Sequence, residues 1–135
     1  MLDEYHRVDG LGGVGAEVFN DSSNVANGQY SHAEGAGGTV AGDEGSHAEG
    51  YGSWALNKYS HAEGEETVAE GQGSHAEGHL SDAQGNYSHA EGDGSIAIGI
   101  ASHAEGCSIA EGERSHAEGD GSMAIGFASH AEGEA

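Results

Sequence analysis

The sequence predicts an all-β chain: a parallel β-roll of 14-residue coils, each made of two short strands and two tight turns. Three observations predict it. The pentapeptide SHAEG starts at Ser31, Ser46, Ser60, Ser74, Ser88, Ser102, Ser115 and Ser129, at spacings of 15, 14, 14, 14, 14, 13 and 14. A weaker S/T-x-A-x-G pattern lies between successive copies. Gly is 26 of 135 residues, Pro is absent, and only 35% of residues are hydrophobic, too few to fill a rounded core. Such a composition with a formal charge of -21 would by itself suggest disorder. A strict repeat argues the other way, because repeat folds bury surface against neighbouring repeats or chains.

The alternate pentapeptides start at Asn24 (NVANG), Thr39, Ser53, Thr67, Ser81, Ser95, Ser108 and Ser122. The chain from Asn24 to Gly133 is therefore sixteen half-repeats, each five patterned residues plus a connector. The two irregular spacings fall in connectors: Ala36-Gly37-Gly38 adds a residue, and Cys107 alone replaces two. Five residues of alternating constraint read as a strand, since side chains point to opposite faces with period two. Positions one, three and five are small, so they point into a space sized for Ser, Ala and Gly. Gly at every seventh residue and the lack of a 3.6 period exclude a helix.

The thin interior gives little of the roughly 25 cal/mol per Å² that apolar burial contributes. Residues 1–23 are expected to form an N-terminal cap, with Val14, Val18 and Phe19 covering the first coil. Residues 24–135 are expected to form about eight coils, a fragment of a longer fibre protein. Alternate-strand positions two and four carry Val25, Val40, Trp54, Leu56, Val68, Ile96, Ile98, Ile109, Met123 and Ile125. A stacked stripe of these residues is too sticky to face water along its length, so it is the expected oligomer interface. Closed symmetry suits it, and three rolls about an axis bury three stripes at once.

The other face carries His32, His47, His61, His75, His89, His103, His116 and His130 beside Glu34, Glu49, Glu63, Glu77, Glu91, Glu105, Glu118 and Glu132. Coils about 4.8 Å apart stack these into two columns. The first reading is structural. A one-residue slip would push His and Glu into a space sized for Ala, so the pattern enforces register. The second is metal binding, since imidazole and carboxylate suit Zn, Cu or Ni. A catalytic reading fails because no nucleophile is paired with a base and an orienting group. Stacked imidazoles resist joint protonation, which predicts stability that depends on pH where His titrates. Residues preceding SHAEG alternate between Tyr (Tyr30, Tyr59, Tyr87) and Gly (Gly45, Gly73), which predicts rings lying over glycines.

Other classes are excluded. Three basic residues against 24 acidic ones give no phosphate-binding face, so no nucleic acid is expected. No 18-residue apolar run exists, and MLDEYHRVDG lacks a signal peptide's regions, so membrane insertion is not expected. Cys107 alone makes no intrachain disulfide. GLGGVG from Gly10 lacks the context of a phosphate loop, and the GGxGxDxUx signature of Ca²⁺-binding rolls is absent. No cofactor and no enzymatic activity are expected.

GDGSIAIGIASHAEG and GDGSMAIGFASHAEG resemble the 14-residue head repeat of trimeric autotransporter adhesins, the YadA-like head. Ser95, Ala97, Ile98 and Gly99 match that repeat's first half, and Ser102, Ala104 and Gly106 its second. SHAEG repeats also resemble those of phage tail-fibre and tail-spike proteins. The resemblance implies a left-handed, homotrimeric roll displayed on a fibre, in a virion or at the cell surface. Its implied role is recognition of a surface receptor or glycan. Two departures favour a phage-type fibre over a bacterial adhesin head: the invariant half is the polar one, and no stalk or membrane anchor is present in the sequence.

Overall fold

A computed structural model describes residues 6–7, 13–19 and 23–133. It is a parallel β-solenoid of about eight turns, without helix among the described residues. One wall is a ladder of histidine strands, such as His61–Glu65, His75–His79 and His89–Asp93. The other is a ladder of two-residue strands, such as Trp54–Ala55, Val68–Ala69 and Ile96–Ala97. From His32 to His130 every rung of the histidine wall is parallel and in register: His pairs with His, Ala with Ala and Glu with Glu from one coil to the next.

The interior is the space the alternation requires. Ala48, Ala62, Ala76, Ala90 and Ala104 line one wall and Ala55, Ala69, Ala83 and Ala97 the other, all 0% exposed. Position-one hydroxyls are buried too, and their bonds explain why Ser stands there rather than Ala. In SHAEG the Oγ of Ser31, Ser46, Ser60, Ser74 and Ser115 donates three residues back, clamping the preceding turn: Ser60 to Asn57 O at 2.6 Å, Ser74 to Gly71 O at 2.7 Å. In the alternate strands the Oγ of Ser53, Ser81, Ser95 and Ser122 reaches eleven residues ahead: Ser53 to Gly64 O at 3.0 Å, Ser95 to Gly106 O at 3.1 Å. Both corners are thus tied from inside. Asn24, first of its series, bonds at three points: its Nδ2 donates to Phe19 O and Gly35 O, and its Oδ1 accepts from the Thr39 N–H.

The structure differs from expectation at two places. In the last coils the two strand families run on as continuous strands, His103–Ala110 and His116–Ala124, around one corner. The single-residue connector at Cys107 leaves nothing to turn outward, and a register shift between Cys107 and Ile109 absorbs the missing residue. At the other end, Glu17–Phe19 is already a rung: Glu17 pairs with His32 and Val18 with Ala33. Ala16 and Val18 occupy the Ser and Ala positions, buried. The ring of Phe19 stacks on His32 at 5.0 Å. Strand His6–Arg7 pairs antiparallel outside Glu17–Phe19 and so closes that edge. Val14, expected to cover the first coil, instead points to solvent, 73% exposed. The rest of the expected cap, and the chain end at 134–135, lie outside the described residues.

The residue before each SHAEG serine has positive φ whether or not it is glycine: Tyr30, Tyr59, Tyr87, Ala101, Arg114 and Ala128 all fall between 51° and 59°. Each tyrosine ring lies over a glycine of the preceding coil. A Cβ on Gly45 would sit 2.8 Å from the Tyr59 ring, and one on Gly73 3.0 Å from the Tyr87 ring. The Tyr–Gly alternation is therefore a packing device, and Tyr59 also donates its hydroxyl to Glu44.

Candidate functional site

Position two of every SHAEG projects from the wall opposite to Ser and Ala, so the register that aligns the interior also aligns the imidazoles. From His47 to His130 the rings form one column, centroids 4.7 to 4.9 Å apart and planes within 10° of parallel. His32 ends the column edge-on to His47, at 69°, because Phe19 takes its other face. Beside each ring lies the carboxylate two residues on. Nε2–Oε2 separations are 3.2 Å for His32–Glu34 and His47–Glu49, and 3.4 Å for His61–Glu63 and His75–Glu77. They widen to 3.5 Å for His89–Glu91, 3.7 Å for His103–Glu105 and His116–Glu118, and 3.8 Å for His130–Glu132.

Only the His32 pair has hydrogen-bond alignment. The Nε2 atoms of His47, His61, His75, His89, His103 and His116 are shut off from solvent by the neighbouring rings and have no hydrogen-bond partner. From His61 onward, consecutive histidines and the intervening glutamate bring three ligand-type atoms within 4.8 Å of one another. Among the described residues, these are the groups whose donor atoms converge closely enough for a metal ion. The serines lie in the interior, on the opposite side of the strand from the histidines, and hydroxyls such as those of Ser60 and Ser74 are committed to carbonyls.

Burial holds the His61 and His103 imidazoles below the usual histidine range, and the positive charge that their stacked neighbours would carry adds to this. The nearby carboxylates Glu63 and Glu49, and Glu91 and Glu105, pull the other way without prevailing. The sign follows. Above the unfolded value near 6.5 both states are neutral there and these residues contribute no pH dependence. As pH falls through that value the unfolded chain takes up protons that His61 and His103 resist in the fold, so the fold loses stability. Melting temperature of metal-free protein should be flat from pH 8.5 to 7 and fall between pH 6.5 and 5. A melting temperature that rises on acidification over that range contradicts this.

The opposite face carries the predicted apolar stripe. Val25, Val40, Trp54, Val68, Ile96, Ile109 and Met123 pair in one continuous register. Asp82 interrupts it and accepts a 2.7 Å bond from Gln84. Val25, Trp54, Leu56, Ile98, Met123 and Ile125 are exposed, while Val40, Val68, Ile96 and Ile109 are half-buried. Sequence reasoning missed the connector residues that widen this surface. Leu80, Ile100 and Phe127 are exposed. Tyr51, Trp54, Val68 and Leu80 line a groove of about 420 Å³ floored by Gly37 and Gly52. No pentapeptide position contains Tyr51 or Leu80, so the periodic signal passes over them. It also passes over His79 and Asp93, paired at 2.8 Å across one coil step.

The YadA head domain repeat matches residues 76–102, 90–106 and 117–135. Those segments contain the SIAIG and SMAIG pentapeptides and the SHAEG that follows each. In these segments the chain is similar to the YadA-like head repeat of the trimeric autotransporter adhesin type. Among curated proteins none matches the chain.

Proposed function

From a chain whose coils include YadA-type head repeats, we propose a self-associating structural segment of an extracellular fibre, with three copies packed through their short-strand faces. The observation that carries this reading is the exposed apolar stripe on an otherwise acidic molecule. A column holding Trp54, Ile98, Met123 and Ile125 in water is stabilised by burial against its own copies. Heads of this type are structural domains of trimeric adhesins, which supports self-association over catalysis. In this arrangement the His/Glu face points outward, where a surface receptor or glycan is met.

Two homes fit such a segment. A tail fibre or tail spike of a phage is favoured by the invariant polar strand, since SHAEG is the half held constant while SIAIG-like halves vary. The head of a bacterial trimeric autotransporter is favoured by the family match at Ser95–Gly106 and Ser122–Gly133. The test of association comes first. Light scattering after size exclusion should give about 40 kDa, three times the 13.5 kDa chain. Ile98→Asp with Ile125→Asp should return it to one chain with the strand circular-dichroism signal retained. A wild-type monomer at micromolar concentration overturns the reading.

A further inference from the structure

The His/Glu face has a property that register alone does not need. The groups of three run in series from His61–Glu63–His75 to His116–Glu118–His130, and each shares one histidine with the next. We propose that this face binds borderline divalent transition-metal ions, zinc above all. Each ion sits between two adjacent coils and is held by two imidazole nitrogens and one carboxylate oxygen.

Three observations carry it. The Nε2 atoms of His61, His75, His89, His103 and His116 are closed off from water without a hydrogen-bond partner. An unpartnered polar atom in a water-poor place is costly, and a cation ligated there removes the cost. Each of these nitrogens already lies 3.4 to 3.7 Å from a carboxylate oxygen on the same strand. Zinc bonds of about 2.0–2.2 Å to nitrogen and oxygen place neighbouring ligands at that separation. The carboxylates also stack in register one coil apart, in a chain of net charge -21, so the face attracts cations. Imidazole donors select zinc, copper or nickel over calcium or magnesium, which take oxygen ligands.

Stoichiometry follows from the sharing. Five groups form the series, and a histidine Nε2 has one lone pair to give. Neighbouring groups therefore compete. At saturation only the first, third and fifth fill together: His61–Glu63–His75, His89–Glu91–His103 and His116–Glu118–His130. Two nitrogens on one zinc lie at most about 4.2 Å apart, closer than the 4.7 Å between the rings of His61 and His75. Binding thus tilts the rings of a pair together and away from the next pair. An even column becomes three pairs.

Equilibrium dialysis of chelator-stripped protein against micromolar ZnCl2 at pH 7.5 should show three zinc ions per chain, and Co²⁺ in its place should give visible ligand-field bands. His89→Gln removes two overlapping groups and should leave two ions. Glu91→Gln removes one group and should also leave two, which covers the case in which His89→Gln does not fold. His47→Gln lies outside the series and should leave three. No uptake, a count other than three, or a count that neither His89→Gln nor Glu91→Gln lowers overturns the proposal. The count is per chain, so failure of three chains to associate would leave it standing.

Discussion

Gly64→Ala should lower the melting temperature by 10 °C or more, the larger of two substitutions that each add one methyl. A Cβ at Gly64 would lie 2.1 Å from the carbonyl oxygen of Gly78 on the next coil, at a backbone φ of +118°. The neighbouring atom is backbone inside a parallel ladder, paired on both sides, so no rotamer change relieves the contact. Strain at such a φ costs on the order of 1–3 kcal/mol for a non-glycine residue before the clash is counted. One kcal/mol shifts a domain of this size by roughly 4 °C. Gly94→Ala separates the two causes. Its φ is +71°, but nothing lies within 4 Å of the added atom. It should therefore cost only the strain. Equal melting temperatures for Gly64→Ala and Gly94→Ala would show that coil stacking is not what requires the glycine.

That contrast bears on how much of the fold could be read from the residues. The inward set was legible because Ser, Ala and Gly recur with period two while His and Glu never leave the outward positions. Burial follows that alternation at the Ser and Ala positions of both walls and at Gly71, Gly85, Gly99 and Gly112. The fifth-position glycines of SHAEG, expected inside, instead lie at the surface at Gly50, Gly78 and Gly92, where a positive φ turns the strand end out of the alternation. The first rung was not legible. Ala16-Glu17-Val18-Phe19 keeps the small–large alternation but puts Val where every later coil has Ala, so a pattern built on SHAEG reads it as flanking chain. The turn residues were hidden for another reason. Tyr, Arg and Ala at positive φ leave no compositional mark, because the conformation goes with the turn's backbone bonds, the serine N–H to the carbonyl three residues back and the residue's own N–H to the preceding coil, rather than with their own preference. At the site, the two columns follow from register alone. The missing alignment between Nε2 and Oε2 depends on ring rotation within each coil and has no signature in the letters.

Ala90→Leu should unfold the middle of the roll and leave its ends paired. Ala90 is 0% exposed and sits in register between Ala76 and Ala104 on its own wall. The opposite wall presents Ala83 and Ala97, also 0% exposed. Layers about 4.8 Å apart leave each one room for a methyl. Overpacking in an ordinary core costs about 1–3 kcal/mol because side chains and elements shift to make room. Here the surroundings of Ala90 are chiefly backbone and alanine methyls, so few side chains can move. The cost therefore belongs at or above the top of that range. A solenoid coil touches mainly its two neighbours, so the damage stays near the coils on either side. Hydrogen exchange should show protection lost for backbone amides around His75 to Ser102 while those of His47 and His116 keep it. Ala90→Ser, which adds one oxygen in a space that already accepts serine at position one, should lose far less. If Ala90→Leu exchanges as slowly as the wild type, the interior is wider than one methyl per layer and the small-residue rule would be a matter of history rather than of space.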